Sequence, residues 1–452
     1  MKKQLTMGMR GFAVAMVLLA LSLQSRAQAV NAFSAKQAVD YARKNATVVK
    51  NALIDIKIQQ QTNREVTSAA LPQINASGTL QDYLTIPTQL LPAEITGGPA
   101  GTFIPVQFGT KYNATGGIDV QQLLFDGQVF VGLQARRTVL EFATKQAEVT
   151  EEVVKANVYK LYYQLVVGRQ QITSIDANID RFEKLLNDTR EIYKQGFAER
   201  LDVDKVQVQL NNLRTEKVKM ENQLKVGNAG LKYLMNMPQK DSLVLTDSLT
   251  EEELKSDVLD GQYNYNDRKE YQLLTLGLKL NEYNVRRYKL SRIPTLSAFG
   301  SYQKNAQRTK FDFFKGGEGR EWFTTSLIGL RLNVPIFDGF ARRSKIQSAK
   351  LEVEKTKNNL AQQQESIDNE VTVSKLNMTS ALQTIDNQKQ NVSLAEKVYN
   401  TTKLKYEQGL GDNQEIYTAQ TELKVAQNNY YSALYDAIVA KIDFLKATGK
   451  LE

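Results

Sequence analysis

The sequence predicts a mainly helical protein with a smaller amphipathic β part, built as two tandem repeats. Three observations support this fold class. Two long tracts, residues 106–237 and 336–452, lack proline and carry apolar side chains at alternating intervals of three and four residues. Four shorter segments alternate apolar and polar side chains, which is the period of a β-strand. Similar phrases also recur at about half the chain length, which indicates duplication of one structural unit.

The first proline-free tract predicts a helical hairpin. One helix is expected from about residue 128 to 195, which at about 1.5 Å per residue is roughly 100 Å long. The same spacing resumes after Gly196, so a second helix over about 199–235 folds back on the first. The apolar or small residues of the first seam are Val154, Val158, Leu161, Leu165, Gly168, Ile172, Ile175, Ile179, Phe182, Leu186, Thr189 and Tyr193.

The second tract repeats this hairpin, because Gly409 lies 213 positions after Gly196 and is flanked by a matching seam. "LFDG" at 124–127 likewise recurs as "IFDG" at 336–339. A shorter helix is expected before the strands of each half, over 34–70 and over 267–293, the second opened by an Asp267-x-x-Glu270 cap.

These patterns predict the order of segments along the chain. The expected parts are a signal peptide (1–29), a first repeat (30–237) with a strand hairpin (71–125) and a helical hairpin (128–235), a linker (238–266), and a second repeat (267–452) with a strand hairpin (293–337) and a helical hairpin (339–447).

The alternating segments predict one strand pair in each half. From Pro72 onwards, Ile74, Ala76 and Leu80 fall on one face, and Gln73 with other polar residues falls on the opposite face. Four strands of about ten to thirteen residues with one apolar face match a membrane barrel wall, although a half-buried soluble sheet shows the same alternation. Because the smallest membrane barrels have about eight strands, the membrane interpretation requires several chains. Three copies would supply twelve strands and enclose a lumen.

Composition and the N-terminus narrow the function further. The chain has no histidine and no cysteine, which removes imidazole bases, thiol nucleophiles and the zinc sites built on them, so we expect neither an enzyme nor a cofactor or metal. Basic residues, an apolar run over 12–21 and Ala27-Gln28-Ala29 indicate an exported protein. Removing the four basic residues of 1–29 lowers the formal charge from +9 to +5, and we expect no nucleic-acid partner.

The chain resembles the TolC-like family of outer-membrane factors. The resemblance rests on "LFDG" and "IFDG" leading into long helices, on the strand entries at Pro72 and Pro294, and on the helix reversals "YKQGFAERLDV" (193–203) and "YEQGLGDNQEI" (406–416). It implies a homotrimer whose twelve strands form one barrel in the outer membrane and whose helices form a periplasmic tunnel. It also implies a passive export duct of a tripartite efflux pump, opened by a periplasmic adaptor and an inner-membrane pump, with outer-membrane lipid around the barrel.

The same resemblance assigns site residues. Gly196, Phe197, Asp202, Gly409 and Leu410 would form the adaptor-docking surface at the helix reversals. Glu415 would narrow the tunnel.

Two of these acidic residues have a simpler interpretation. Asp202 and Glu415 both begin a helix, where an acidic side chain favours the helix dipole. Two alternative functions also stay open: the exit duct of a type I protein secretion system, and a trimeric coiled-coil surface scaffold or adhesin.

Overall fold

The computed structural model describes residues 30–248, Leu254 and residues 262–451. The expected signal peptide and two parts of the expected linker, 249–253 and 255–261, lie outside the described residues. No helix among the described residues is both long and apolar enough to cross a membrane.

The described helices and strands are numbered here in chain order. They are β1 (Val30–Phe33), α1 (Ala35–Asn45), α2 (Thr47–Ser68), β2 (Gln73–Asp82), β3 (Thr88–Pro92), β4 (Phe103–Gln107), β5 (Tyr112–Phe125), α3 (Gly127–Lys194), α4 (Arg200–Leu234), β6 (Ser242–Leu245), α5 (Lys269–Leu290), β7 (Thr295–Arg308), β8 (Phe323–Asn333), α6 (Ala341–Glu407) and α7 (Asn413–Ala447).

The chain divides into two units. The described part of the first comprises residues 30–55, 144–248, Leu254, 262–273 and 360–451, and that of the second comprises 56–143 and 274–359. The first unit is helical apart from β1 and β6, whereas the second contains the other strands together with helical segments.

Long helices dominate the first unit, and their buried faces follow the heptad spacing of the sequence. Ile175, Ile179 and Phe182 of α3 pack in one cluster with Leu210 of α4 and Leu423 of α7. A second cluster contains other seam residues of α3, such as Val158 and Leu165, together with side chains of α1, α4 and α7. Spacing of three and four residues places these side chains on one helix face, so the burial has the cause that the sequence predicts.

Glycine allows α3 and α4 to approach closely. A Cβ at Gly168 of α3 would lie 2.7 Å from Leu224 Cδ2, and a Cβ at Gly227 of α4 would lie 2.7 Å from Leu165 Cδ2. Each leucine therefore occupies space that only the facing glycine leaves free.

The N-terminal helix differs from its prediction, because the single helix expected over 34–70 is interrupted at Ala46. Ala46 has φ −54° and ψ 129°, which ends α1 at Asn45. The Asn45 carbonyl accepts a hydrogen bond of 3.1 Å from Asn236 Nδ2. A tertiary contact to a residue that follows α4 thus replaces the helical hydrogen bond, and a local pattern cannot show this.

A small parallel sheet, β1 with β6, was not predicted from the sequence. Val30 aligns with Ser242 and Phe33 with Leu245. The Tyr162 hydroxyl donates to the Phe33 carbonyl at 2.8 Å, and this bond ties the sheet to α3. Two strands of four residues are too short to show an alternating pattern.

The expected cap of the helix before β7 was wrong. α5 begins at Lys269, and Asp267 lies in a preceding 3₁₀ turn over Tyr265–Asp267. The Arg268 guanidinium instead connects the start of α5 to two other helices. It donates to the Ala447 carbonyl and to Glu370, both at 2.9 Å, and lies 3.3 Å from Glu270.

The second unit contains an antiparallel sheet of order β2-β5-β7-β8. Ile74, Val120, Gly300 and Ile328 align across it, and Leu80, Ile118, Leu330 and Leu332 are exposed on the same face. Successive side chains of a strand point to opposite sides. The opposite face carries mainly polar residues, together with Phe299, Phe323 and Leu327. The segment 84–110, between β2 and β5, adds a separate hairpin of β3 and β4.

Candidate functional site

The helix reversals form the first candidate site, and the two have the same backbone construction. In the first, the Gly196 amide donates to Tyr193 O at 2.9 Å and the Phe197 amide donates to Ile192 O at 3.1 Å. Gly196 has a φ of +82°, a left-handed conformation that glycine adopts without steric cost. This pair of bonds is the Schellman motif that ends many helices.

The second reversal repeats the motif 213 positions later. The Gly409 amide donates to Tyr406 O at 3.0 Å, the Leu410 amide donates to Lys405 O at 2.9 Å, and Gly409 has a φ of +68°. The caps of the returning helices correspond as well: Glu199 precedes α4 and Asp412 precedes α7. Both turns therefore reverse the chain by the same geometry.

An apolar side chain protrudes at each reversal. Phe197 is 83% exposed and Leu410 is 77% exposed, although the residue at this position of a Schellman motif commonly packs back on its own helix. Exposed apolar side chains at two equivalent turns form a surface suited to contact with another molecule.

The two acidic residues assigned from the resemblance differ in their contacts. Asp202 Oδ2 accepts a hydrogen bond from the Glu199 amide at 3.2 Å, and its carboxylate lies 3.9 Å from Lys205 Nζ, so this side chain caps α4. Glu415 lies in the first turn of α7, is exposed, and makes no ion pair or side-chain hydrogen bond among the described residues. Asp412, rather than Glu415, caps that helix.

A buried polar network joins α3 to α7 further along the hairpins. Asn178 Nδ2 donates to Gln427 Oε1 at 2.9 Å, and Asn178 Oδ1 accepts from Gln420 Nε2 at 3.1 Å. Asn178 is 2% exposed and Gln420 is 1% exposed. Ser174 also donates to Gln427, at 2.9 Å. No sequence pattern predicted this network; the available signal was a polar residue, Asn178, between two seam isoleucines.

Nearer the reversals, α3 and α6 make mixed contacts. The Arg181 guanidinium lies 5.7 Å from the centre of the Tyr399 ring, and the Thr189 and Tyr406 hydroxyls are 3.4 Å apart. Burial raises the pKa of Tyr406 above its ordinary value of 10.0, so this hydroxyl stays protonated at neutral pH.

The polar face of the sheet is the second candidate site. On β2, β5, β7 and β8 it presents mainly neutral serine, threonine, asparagine and glutamine side chains. Asp119 and Arg331 are the charged side chains of this face within those four strands. No group of three or more potential metal-ligating residues lies together among the described residues.

Solved structures with a similar fold include outer-membrane channels. The structure is similar to that of CusC, whose reported structures concern transmembrane channel formation, with a TM-score of 0.75 and 14% identity over 92% of both chains. It is similar to the outer membrane protein VceC of Vibrio cholerae, with a TM-score of 0.71 and 13% identity over 92% of this chain and 96% of that one. The Campylobacter jejuni CmeC outer membrane channel also has a TM-score of 0.71, with 17% identity over 92% of this chain and 85% of that one.

The family match agrees with the fold. Residues 275–450 match the family described as outer membrane efflux protein. No curated protein sequence matches the chain. The predicted fold class is therefore confirmed, and the family match over 275–450 agrees with the predicted resemblance.

Proposed function

We propose that three copies of this chain form an outer-membrane exit channel for a tripartite efflux pump. The observation that carries the proposal is the sheet β2-β5-β7-β8, which has one polar and one apolar face and leaves β2 and β8 as its edges. An edge strand of about ten residues is a template for pairing, and closing the sheet on itself removes such edges. Four strands are too few to close, so β8 of one copy would pair with β2 of the next.

Twelve strands give a barrel wide enough to enclose a water-filled lumen. With strands about 4.8 Å apart and tilted by about 40°, the backbone of a twelve-stranded barrel lies about 12 Å from its axis. The apolar face, including Ile328, would contact lipid, and the polar face would line water. Such a wall conducts solutes passively, and the energy for export comes from the inner-membrane pump. No catalysis is required of the chain.

The helix reversals would contact the adaptor. Phe197 and Leu410 offer two equivalent apolar contacts on Schellman turns, and three copies would present six of them. Asp202 would support this surface by holding the start of α4. Glu415, which has no partner among the described residues, would face its copies in the other subunits and narrow the helical tunnel.

The proposal is tested by transport in the native organism. Deleting the gene should raise intracellular accumulation of a fluorescent efflux substrate, and the intact gene should restore export. A Phe197→Ser, Leu410→Ser double variant should reach the outer membrane as a trimer and yet fail to restore export. Val226→Ser, which removes an exposed apolar side chain of α4 away from the reversal, is the matched control and should restore it.

The outcomes separate the alternatives. Loss of a secreted protein from the medium, with dye export unchanged, would favour a type I secretion duct. A chain recovered on the cell surface without any transport defect would favour a scaffold or adhesin. Full export by the double variant would refute the assigned docking surface.

A further inference from the structure

Arg331 is the basic side chain on the polar face of the sheet. Within β2, β5, β7 and β8, that face has one acidic residue, Asp119, and one basic residue, Arg331. Lys304 belongs to the same sheet but lies on the opposite face, since it aligns with Gly116 and Thr324. A charge on the polar face of a closed barrel would project into the lumen.

The surroundings of Arg331 hold its guanidinium in place without neutralising it. The guanidinium carbon lies 5.1 Å from the centre of the Phe299 ring. Phe299 in turn aligns with Gly329, and a Cβ at that glycine would come 2.7 Å from Phe299 Cζ. The ring thus lies against the bare backbone of β8 and supports the cation.

The guanidinium keeps its donors available. Arg331 is exposed and has no ion pair or hydrogen bond among the described residues. Asp119 does not neutralise it, because the strand register places Asp119 opposite Ser301 and places Arg331 opposite Ser297. Four residues of strand separate the two levels by about 13 Å, which exceeds the Debye length of about 10 Å in 0.1 M salt.

We propose that Arg331 on Phe299 forms an anion-binding shelf on the channel wall, at the end of the strands that joins the helices. This inference rests on the proposed trimeric channel. Three copies place three guanidinium groups at one level of the lumen, where they attract chloride and bind small aromatic carboxylates. The fork of N–H donors suits a carboxylate, and the supporting Phe299 ring offers contact to an aromatic solute.

The test is ion selectivity of the purified protein in planar lipid bilayers under a KCl gradient. Three charges about 8 to 10 Å from the axis, screened by about 0.1 M salt, should favour chloride over potassium by at least about threefold. Arg331→Gln should lower the chloride-to-potassium permeability ratio by about this factor. Asp119→Asn should raise the ratio, because it removes the opposite charge from the same face.

Lys304→Gln is the matched control. It removes an equal charge from the same sheet but from the apolar face, so the permeability ratio should stay within the scatter of the unaltered protein. An equal change in Arg331→Gln and Lys304→Gln would overturn the shelf, since only the net charge of the protein would then matter. An unchanged ratio in Arg331→Gln would overturn it as well.

Benzoate serves as the probe of the binding site. It should reduce the conductance of the unaltered channel, and Arg331→Gln should weaken this block at least about threefold. Arg331→Lys should retain the chloride preference but bind benzoate less well, because a lysine lacks the planar fork. Phe299→Leu should likewise keep the charge and weaken the block.

Failure of the shelf is distinguishable from failure of the channel. A protein that conducts ions but shows no effect of Arg331→Gln or Phe299→Leu refutes the shelf alone. A purified protein that never forms conducting pores refutes the proposed function, and the shelf with it. If Arg331→Gln does not insert, Arg331→Lys and Phe299→Leu still decide the question, and an unchanged benzoate block in both overturns the proposal.

Discussion

Removing Asn178 should loosen the contact between α3 and α7 within the helical unit. In Asn178→Ala, the Gln427 carbonyl loses the donor at 2.9 Å and the Gln420 amide loses the acceptor at 3.1 Å. Gln420 is almost fully buried, so water cannot easily replace the lost bond. Each buried group left without a partner costs about 1–3 kcal/mol. Because Ser174 still donates to Gln427, we expect the substitution to destabilise this contact by about 2–3 kcal/mol in total.

Hydrogen–deuterium exchange of the full-length protein measures this locally. A loss of about 2–3 kcal/mol corresponds to about 30- to 150-fold faster exchange of amides in the α3 and α7 segments around the network, since about 1.4 kcal/mol is tenfold. Amides of the sheet β2-β5-β7-β8 provide the internal reference and should exchange as before.

A second variant separates the network from packing. Asn178→Leu with Gln420→Leu replaces both partners with apolar side chains, which can be nearly neutral, so exchange should return towards that of the unaltered protein. Exchange that is less than about twofold faster in Asn178→Ala would show that the network contributes little, contrary to the geometry. If the amides exchanged faster in the double variant than in Asn178→Ala, the cost would come from poor packing of the leucines rather than from unsatisfied polar groups.

Three further predictions concern other parts of the chain. Burial, and after it the nearby negative charge of Glu270, raises the pKa of Glu152 above its ordinary value of 4.5. Glu152 therefore makes the folded state less stable as the pH rises from this ordinary pKa through the raised one. Glu152→Gln should raise the melting temperature at pH 8 more than at pH 5. Asp368→Ala should expose Tyr263 to chymotrypsin, because the Tyr263 hydroxyl donates to Asp368 at 2.6 Å; unchanged cleavage kinetics would contradict this anchoring role. Gly409→Ala should speed amide exchange around the second reversal by about tenfold, because a left-handed φ costs a residue with a Cβ about 1–2 kcal/mol. If this substitution sped amide exchange equally at the first reversal, the two turns would not be independent.

The sequence was informative wherever a repeating spacing determined the structure. The seam from Val154 onwards, the glycine reversals and the strand alternation all follow from local periods of 3.5 and 2 residues, and each appears in the structure close to its predicted bounds. The exposure of Phe197 and Leu410 was visible only in the structure, because the residue after the glycine of a Schellman motif commonly packs back on its own helix. The roles of these residues in docking stay predictions.

What the sequence could not reveal depends on contacts between distant segments. The break at Ala46 needs Asn236, and the Asn178 to Gln420 bond joins residues 242 positions apart. The environment of Arg331 could not be predicted without the register of β7 against β8, which places Phe299 opposite Gly329. A period of two assigns Arg331 to a face, but only the register shows what lies beside it.

In the proposed channel, each chain supplies a third of the closed pore wall. Native mass spectrometry of the protein extracted from the outer-membrane fraction tests it most directly. We predict a single assembly of three chains that persists in detergent, with no stable single chain. A water-soluble monomer recovered from the periplasm, or a stable assembly of any other number of chains, would contradict it.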